Sequence, residues 1–445
     1  MRTIREPARQ IVVVDEADVL VVGGGPAGMV AAIAAGRNGV RTLVVERYGF
    51  LGGMATNGLV GPVLGIYHLY TGERIVGGIP WEMLRRMEKL GGALLGTEGP
   101  YIAFDPEVIK YVADQMTLEA GARMRLHSFA SDIVKEGDLV RGVVLESKSG
   151  RQAVMARVII DATGDGDLAT WAGAPVEKGR PQDGAMQPMT MYFRLGGMHN
   201  ELLPDPRDIV VDCAQVMKEL RQTLQEAVDA RQLPVFGGPW ALKTCTVRDG
   251  EVGVNMVRVY GDATDVLDLT RVEVEARDHI QRFVAFLQRN SPAFRDCYLY
   301  DTAPQIGIRE TRRVIGDYVL TSEDILQKRG FDDGIALGGH IIDIHSLDGT
   351  SEQLAVRVEP YQIPYRCLLP RGVDNLLVAG RPISATHEAH ASLRVMGTCM
   401  ALGEAAGTAA ALAAQAETSP REIGIQELLA RLRQQSAMVD ASDLL

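Results

Sequence analysis

ADVLVVGGGPAGMVAAIAAGRNGVRTLVVERYGFLGGMAT, residues Ala17 to Thr56, reads as a strand, a glycine turn, a helix and a second strand that ends in an acid. Val19 to Val22 form an apolar run suited to a strand buried on both faces, and Gly23, Gly25 and Gly28 follow in GxGxxG spacing. Gly23 allows the tight turn, Gly25 removes a Cβ from the path of a pyrophosphate, and Gly28 lets a helix from about Pro26 to Arg37 lie close on the sheet. The helix N-terminus offers unpaired N–H groups and partial positive charge to a diphosphate. Thr42 to Glu46 is the expected second strand, and the Glu46 carboxylate is placed to accept both hydroxyl hydrogens of an adenosine ribose. A glycine turn with no ligand is the competing reading, and strand, helix, strand and acid all in register argue against it. The clamp alone leaves NAD and FAD both open.

The 445 residues suffice for two or three domains held by burial alone. Cys213, Cys245, Cys297, Cys367 and Cys399 are scattered, odd in number and never in a CxxC pair, as expected of reduced thiols in a cytoplasmic protein. The early apolar run Ile11 to Val14 is too short for a signal peptide, and no segment has the length of a membrane span. A net charge of −11 argues against nucleic acid as a partner. A homo-oligomer is left open.

From Met124 to Leu145 the pattern suggests short strands in an antiparallel insertion, turning at Lys135 to Asp138, and Ala156 to Asp161 is another buried strand before the turn Ala162 to Gly166. Beyond Trp171 the texture changes to strands at Met189 to Leu195 and Gly253 to Tyr260 and a helix over Ala263 to Arg289. Asn375 to Ala379 then gives a last buried strand, and Met396 to Ala416 an alanine-rich helix. The expected fold class is α/β: a Rossmann-like domain in two parts, residues 1–170 and 356–445, interrupted by an α+β substrate or cap domain over 171–355. A ligand site is expected between them.

The order of three elements decides the cofactor: the clamp, DATGDGDLA at Asp161 to Ala169, and NLLVAGR with the C-terminal helix beyond it. An extended FAD needs a second site far from the pyrophosphate, and NAD domains have no comparable C-terminal return. Gly397-Thr398 is expected to bring backbone N–H groups to the flavin's pyrimidine edge, where they would stabilise negative charge on the reduced ring. Gly403, Ala406, Gly407 and Ala410 are expected to permit close packing on the first domain.

With GGGPAG at Gly23 to Gly28, RYGFLGGMAT at Arg47 to Thr56, QIGIRETRRVIGDY at Gln305 to Tyr318, DIH at Asp343 to His345 and GRPISATHEAHASLRVMGTCMALGEAAG at Gly380 to Gly407, the chain resembles the FAD-dependent oxidoreductases of the glutathione-reductase structural group, in the branch near the fumarate reductase and succinate dehydrogenase flavoproteins. The resemblance implies that Glu46 holds the ribose and that Arg47, Gly52, Gly53 and Met54 line the ribityl and pyrophosphate region. It also implies that Ala130 meets adenine through its backbone, and that Thr163, Gly164 and Asp165 close over the ADP half. Pro26, Ala27 and Ala162 belong to the same set, and Gly380, Arg381, Val395, Met396 and Gly397 are implied at the flavin end. Succinate dehydrogenase flavoproteins carry a histidine for covalent attachment near the glycine pair; Leu51-Gly52-Gly53-Met54 has none, so FAD is expected to be noncovalent.

Hydride transfer needs a group that takes or supplies a proton. His387 and His345 are the histidine candidates, Arg394 and Arg309 the arginines able to clamp an anionic oxygen, and His390 is read as structural. Arg313 is read as a surface or salt-bridge residue, and Cys399 as a buried apolar cysteine. His340, Asp343 and His345 cluster, but on a strand His340 would face away from the other two, so no metal site is expected. The expected activity is hydride transfer between FAD and a small polar or anionic organic molecule, with an undefined electron acceptor. A flavin hydroxylase is the enzymatic alternative, and a noncatalytic electron-relay subunit the alternative of another class.

Overall fold

In the computed structural model, which describes residues 2–4, 7–96, 100–203, 215–240, 242–346 and 353–444, the opening stretch builds the centre of the larger sheet. Strand β1 (Val12–Val22) pairs in parallel with β2 (Thr42–Val45) on one side and β6 (Gly150–Asp161) on the other. The sheet runs β3 (Arg123–Arg125), β2, β1, β6, β5 (Leu139–Ser147), β4 (Phe129–Glu136), and the C-terminal strand Leu376–Val378 pairs in parallel with the far half of β6. Val19, Leu20, Val21 and Val44 have no exposed surface, as a strand covered on both faces requires. β3 belongs to the parallel sheet, so the antiparallel insertion is the β4–β5 hairpin alone. A three-residue strand is too short to show a period in sequence.

Helix α1 (Pro26–Arg37) and the C-terminal helix Met396–Ala416 pack against each other almost backbone to backbone. A Cβ at Gly403 would stand 2.1 Å from the Ala27 carbonyl oxygen, and one at Gly407 2.2 Å from that of Ala31. The alanines between them leave both helices buried over most of their length. Among the described residues no single helix is long and apolar enough to cross a membrane.

The middle section forms an antiparallel sheet in the order Tyr298–Thr302, Phe193–Gly196, Glu251–Val257, Phe236–Trp240, backed by the helix Val266–Asn290, whose N-cap Asp265 accepts from the Leu267 and Asp268 N–H groups. Met189 and Thr190, expected inside a strand, make isolated bridges to Val259 and Gly307 instead. The second apolar core runs from Met189 to Ile308. Val314, Leu320, Ile335 and Ile342 pack into the first core, so the stretch 171–355 expected as one cap is divided between the two. The return to the first core comes through short strands and loops, which carry little periodicity to mark it.

Candidate active site

One cleft follows the C-terminal ends of β2, β1, β6 and Leu376–Val378 and is walled on its other side by the middle section. At about 4.8 Å per strand, those four ends span roughly 14 Å, the reach of an extended ligand rather than a compact one. Glu46 lies at the β2 side with Ser128 to Ala130, and Gly380 and Arg381 follow the last strand on the other.

At the first end the turn is built as its glycines require. Gly23 has φ +97°, and a Cβ there would sit 2.3 Å from the Ala162 carbonyl oxygen. Gly28 does not reach the cleft: its missing Cβ would stand 1.8 Å from the Gly23 carbonyl oxygen, so its work is packing. Gly25 lines the cleft, and the nearest atom to a Cβ on it would be Gly53 Cα at 3.9 Å, which leaves that face open to a ligand. The buried Glu46 carboxylate accepts from the Gly24 N–H at 2.6 Å and the Tyr48 N–H at 3.0 Å, and burial raises its pKa against those bonds. Each oxygen keeps a lone pair for a hydroxyl.

Pro26, Ala27, Arg47, Gly53, Met54, Ala130, Ala162, Thr163, Gly164, Asp165, Gly380, Arg381, Val395 and Met396 all line the cleft. Gly52 does not; its N–H donates to the Gly24 carbonyl at 2.8 Å and fixes the glycine loop against the turn. The Asp165 carboxylate accepts from Arg381 at 2.8 Å and from the Thr311 hydroxyl at 2.7 Å, tying the β6 turn to the C-terminal return. Behind it Asp161 accepts from the Thr163 N–H and hydroxyl and from the Ala169 N–H, and burial pushes its carboxyl up to about 6.

Gly397 departs from expectation. Its N–H donates to the Leu64 carbonyl at 2.8 Å, and a Cβ there would stand 2.6 Å from Gly65, so this glycine lets a neighbouring chain pass close and does not line the cleft. The next residue, Thr398, keeps a buried hydroxyl oxygen without a partner.

The far end gathers charge from remote segments. Arg309 donates to the Pro188 carbonyl at 2.7 Å and the Thr190 hydroxyl at 2.6 Å, and Arg258 shares that hydroxyl at 2.7 Å. Arg394 donates to the Asp343 carbonyl at 3.0 Å and its carboxylate at 3.3 Å, while its buried Nε–H has no partner. Burial depresses all three, Arg309 most, and the neighbouring guanidinium groups depress Arg309 further. Asp343 is the carboxylate among them: burial raises its pKa, but His345 and Arg394 outweigh this and hold it well below the usual range. His345 lines the cleft with Arg258 Nη2 at 3.4 Å from Nδ1 and Asp343 at 3.3 Å from Nε2, and burial lowers its pKa to about 3.

His387 is a correction. It stands outside the cleft, 2.9 Å from Glu310, in a fully buried cluster that includes the Glu310–Arg313 ion pair. It opens a short helix, His387–Leu393, whose following residues Arg394 to Met396 reach the cleft while the His387 side chain turns into the core, which one-dimensional spacing does not reveal. Arg313 is the salt-bridge residue expected, although buried rather than on the surface. Cys399 is buried on the cleft wall, and burial pushes its thiol up to about 12. His340 shares the wall with Asp343 and His345, contrary to the strand argument, because the strand begins only at Ile342. Among the described residues no three His, Cys, Asp or Glu side chains form a metal-holding group. Sequence reasoning missed Arg258, Thr190 and Asn255; Asn255 and Arg258, polar residues interrupting GVNMVRVY, were the available signal.

The cleft fits an extended dinucleotide with a second, electropositive end: Gly25 leaves its face open, and Arg394 Nε is a buried polar atom on the cleft wall with no partner. The chain matches the family model for FAD dependent oxidoreductase over residues 18–432. Digeranylgeranylglycerophospholipid reductase 3 from Methanosphaera stadtmanae is 28% identical over 179 residues, 36% of this chain and 42% of that protein. Thiamine thiazole synthase from Methanococcus vannielii is 30% identical over 159 residues, 34% of this chain and 56% of that one. The chain thus spans about half the length of the curated relatives it matches. Among solved structures, a geranylgeranyl bacteriochlorophyll reductase-like protein from Thermoplasma acidophilum aligns at TM-score 0.46 and 15% identity over 95% of this chain and 84% of that one. The flavin-dependent brominase Bmp2 aligns at TM-score 0.46 and 13% identity over 94% and 83%. The family match covers the clamp, the middle section and the C-terminal return together, and the cofactor is FAD. The chain belongs to the FAD dependent oxidoreductase family.

Proposed function

We propose that this oxidoreductase transfers a hydride between noncovalent FAD and a small anionic organic substrate held at the arginine end of the cleft. The observation that carries this reading is the charge there: Arg258, Arg309 and Arg394 surround one carboxylate, Asp343, among the described residues. Guanidinium groups stay protonated even when burial depresses them. Buried charge without a counterion is costly, so the site favours a ligand that brings negative charge. FAD supplies a two-electron acceptor.

In this reading Gly23, Gly25 and Glu46 hold the ADP half, Arg381 with Asp165 fixes the middle, and Arg309 and Arg394 orient the substrate's anionic group. Thr190 and Asn255 hold Arg309 and Arg258 in place, since both accept from both guanidinium groups. The noncovalent state rests on the glycine loop, where no histidine stands. The finer kinship with the fumarate reductase and succinate dehydrogenase flavoproteins belongs to the same proposal, and its support is the resemblance carried by the motifs from Gly23 to Gly407.

The test mixes the yellow protein anaerobically with carboxylic acids and with their methyl esters and follows the flavin absorbance. Acids are expected to bleach it and esters to fail, and Arg309→Ala should weaken the apparent Kd roughly 10- to 150-fold, the range of one charged hydrogen bond. Esters that bleach as fast as acids would sink the anionic reading. Oxygen found in the product would move the protein to the hydroxylase class.

A further inference from the structure

Resting on that anionic reading, we propose that His340 is the proton acceptor of the site and that the substrate is a hydroxy acid, its carboxylate toward Arg309 and Arg394 and its hydroxyl toward the His340 ring. His387 and His345 are the histidine candidates of the sequence, and geometry removes both, with His390 beside them. His387 and His390 do not line the cleft. His345 does, but its nitrogens face Arg258 at 3.4 Å and Asp343 at 3.3 Å. Because Arg258 can only donate, Nδ1 is the acceptor and Nε2 carries the hydrogen toward Asp343. His345 is therefore a positioning residue that links the arginine pair to Asp343.

The His340 ring lines the same wall and has no hydrogen-bond partner among the described residues. Its backbone is fixed instead: the Ser392 hydroxyl donates to its carbonyl and itself meets the Tyr361 hydroxyl at 2.8 Å. A ring anchored through its backbone, with its nitrogens uncommitted, is what a proton acceptor needs. The charged groups acting on it are Asp343 and Arg394, and burial outweighs both, lowering its pKa to about 4. It is neutral at physiological pH, ready to take a proton and without one to give. Oxidation is the direction in which a neutral ring takes the proton.

The surrounding positive charge narrows the class further. An amino acid would bring an ammonium group into a site with excess guanidinium, whereas a hydroxyl brings no charge. In the reaction the carbinol C–H and O–H bonds break and a C=O bond forms. The hydride carries both electrons to FAD, and the proton goes to His340 and from there to solvent, leaving an oxo acid.

The experiment follows anaerobic flavin reduction in the FAD-loaded protein by a panel of 2- and 3-hydroxy acids, with amino acids and saturated acids without a hydroxyl alongside. In parallel, Kd values for unreactive carboxylates are read from the shift they cause in the flavin spectrum. Hydroxy acids are expected to bleach the wild type, with a rate flat above about pH 5 and falling toward the His340 pKa of about 4. His340→Gln should slow reduction about 100- to 10,000-fold, abolish that acid limb, respond to added imidazole, and keep carboxylate Kd within about threefold. Equal reduction rates in wild type and His340→Gln, or bleaching by amino acids or saturated acids without a hydroxyl alone, would overturn this inference and leave the anionic reading standing. Carboxylates that neither shift nor bleach the wild-type flavin would overturn the anionic reading itself. Should the variant lose FAD, ring-labelled histidine NMR of the wild type decides: a His340 pKa that coincides with the acid limb of the reduction rate supports the acceptor role, and one that does not coincide refutes it.

Discussion

The two ends of the cleft are made by different means. The first is mostly backbone: one contiguous stretch, Gly23 to Met54, supplies the turn, the helix N-terminus and Glu46, and its glycines matter for the side chains they lack. The other is side chains alone, with guanidinium groups from Arg258, Arg309 and Arg394 and imidazoles from His340 and His345, drawn from both apolar cores. A backbone cradle is fixed once the strand and helix form. A cluster of like charges persists only because Thr190, Asn255, Pro188 and Asp343 accept its hydrogens. The first end defines what is held, and the second defines what is done to it.

Three substitutions probe that contrast, in falling order of effect. Gly403→Val should be the most damaging, because its side chain would meet the Ala27 carbonyl oxygen and force α1 off the C-terminal helix. Overpacking of this kind costs about 1 to 3 kcal/mol or more and should appear as lost soluble protein and lost flavin. A stable, yellow Gly403→Val protein would show that the two helices can part without cost to the cradle. Glu46→Ala should keep the fold and weaken FAD retention by about 1 to 3 kcal/mol, roughly 5- to 150-fold in Kd, measured by titrating FAD into the apoprotein. Unchanged retention would shift the ADP-holding role wholly to backbone. His387→Ala should have the smallest effect on chemistry: flavin content and reduction rate near wild type, with stability lowered by about 1 to 3 kcal/mol because Glu310 loses a buried partner. A large fall in reduction rate with stability intact would return His387 to the mechanism and blur the boundary between the core and the cleft.

Legibility in the sequence follows the same division. The Pro26–Arg37 and Met396–Ala416 helices appear at the boundaries read from residue patterns, because proline at N1, glycine turns and runs of alanine are local signals. Gly403 and Gly407 were read as contact glycines, and the contact is there. Gly28 was read as a packing glycine and is one, whereas Gly397 was read as a cofactor residue and acts as a contact glycine, since a glycine that admits a ligand and one that admits a neighbouring backbone look alike in sequence. Among the histidines the error had a different source. His387 opens a short helix and His340 precedes a strand, and whether a ring at such an element end faces a cleft depends on rotamer and packing rather than spacing.

By itself the sequence determined the α/β class, the parallel strand–helix–strand clamp with its acid, and the presence of a C-terminal return, each set by local backbone chemistry or by the order of buried strands. Tertiary structure alone decided that Arg258 joins Arg309 and Arg394, that His345 is tied at both nitrogens while the His340 ring has no partner among the described residues, and that His387 belongs to the core. The reason is physical: a strand or a glycine turn is specified by neighbours a few residues away, whereas the pairing of buried charges depends on which distant segments packing brings together.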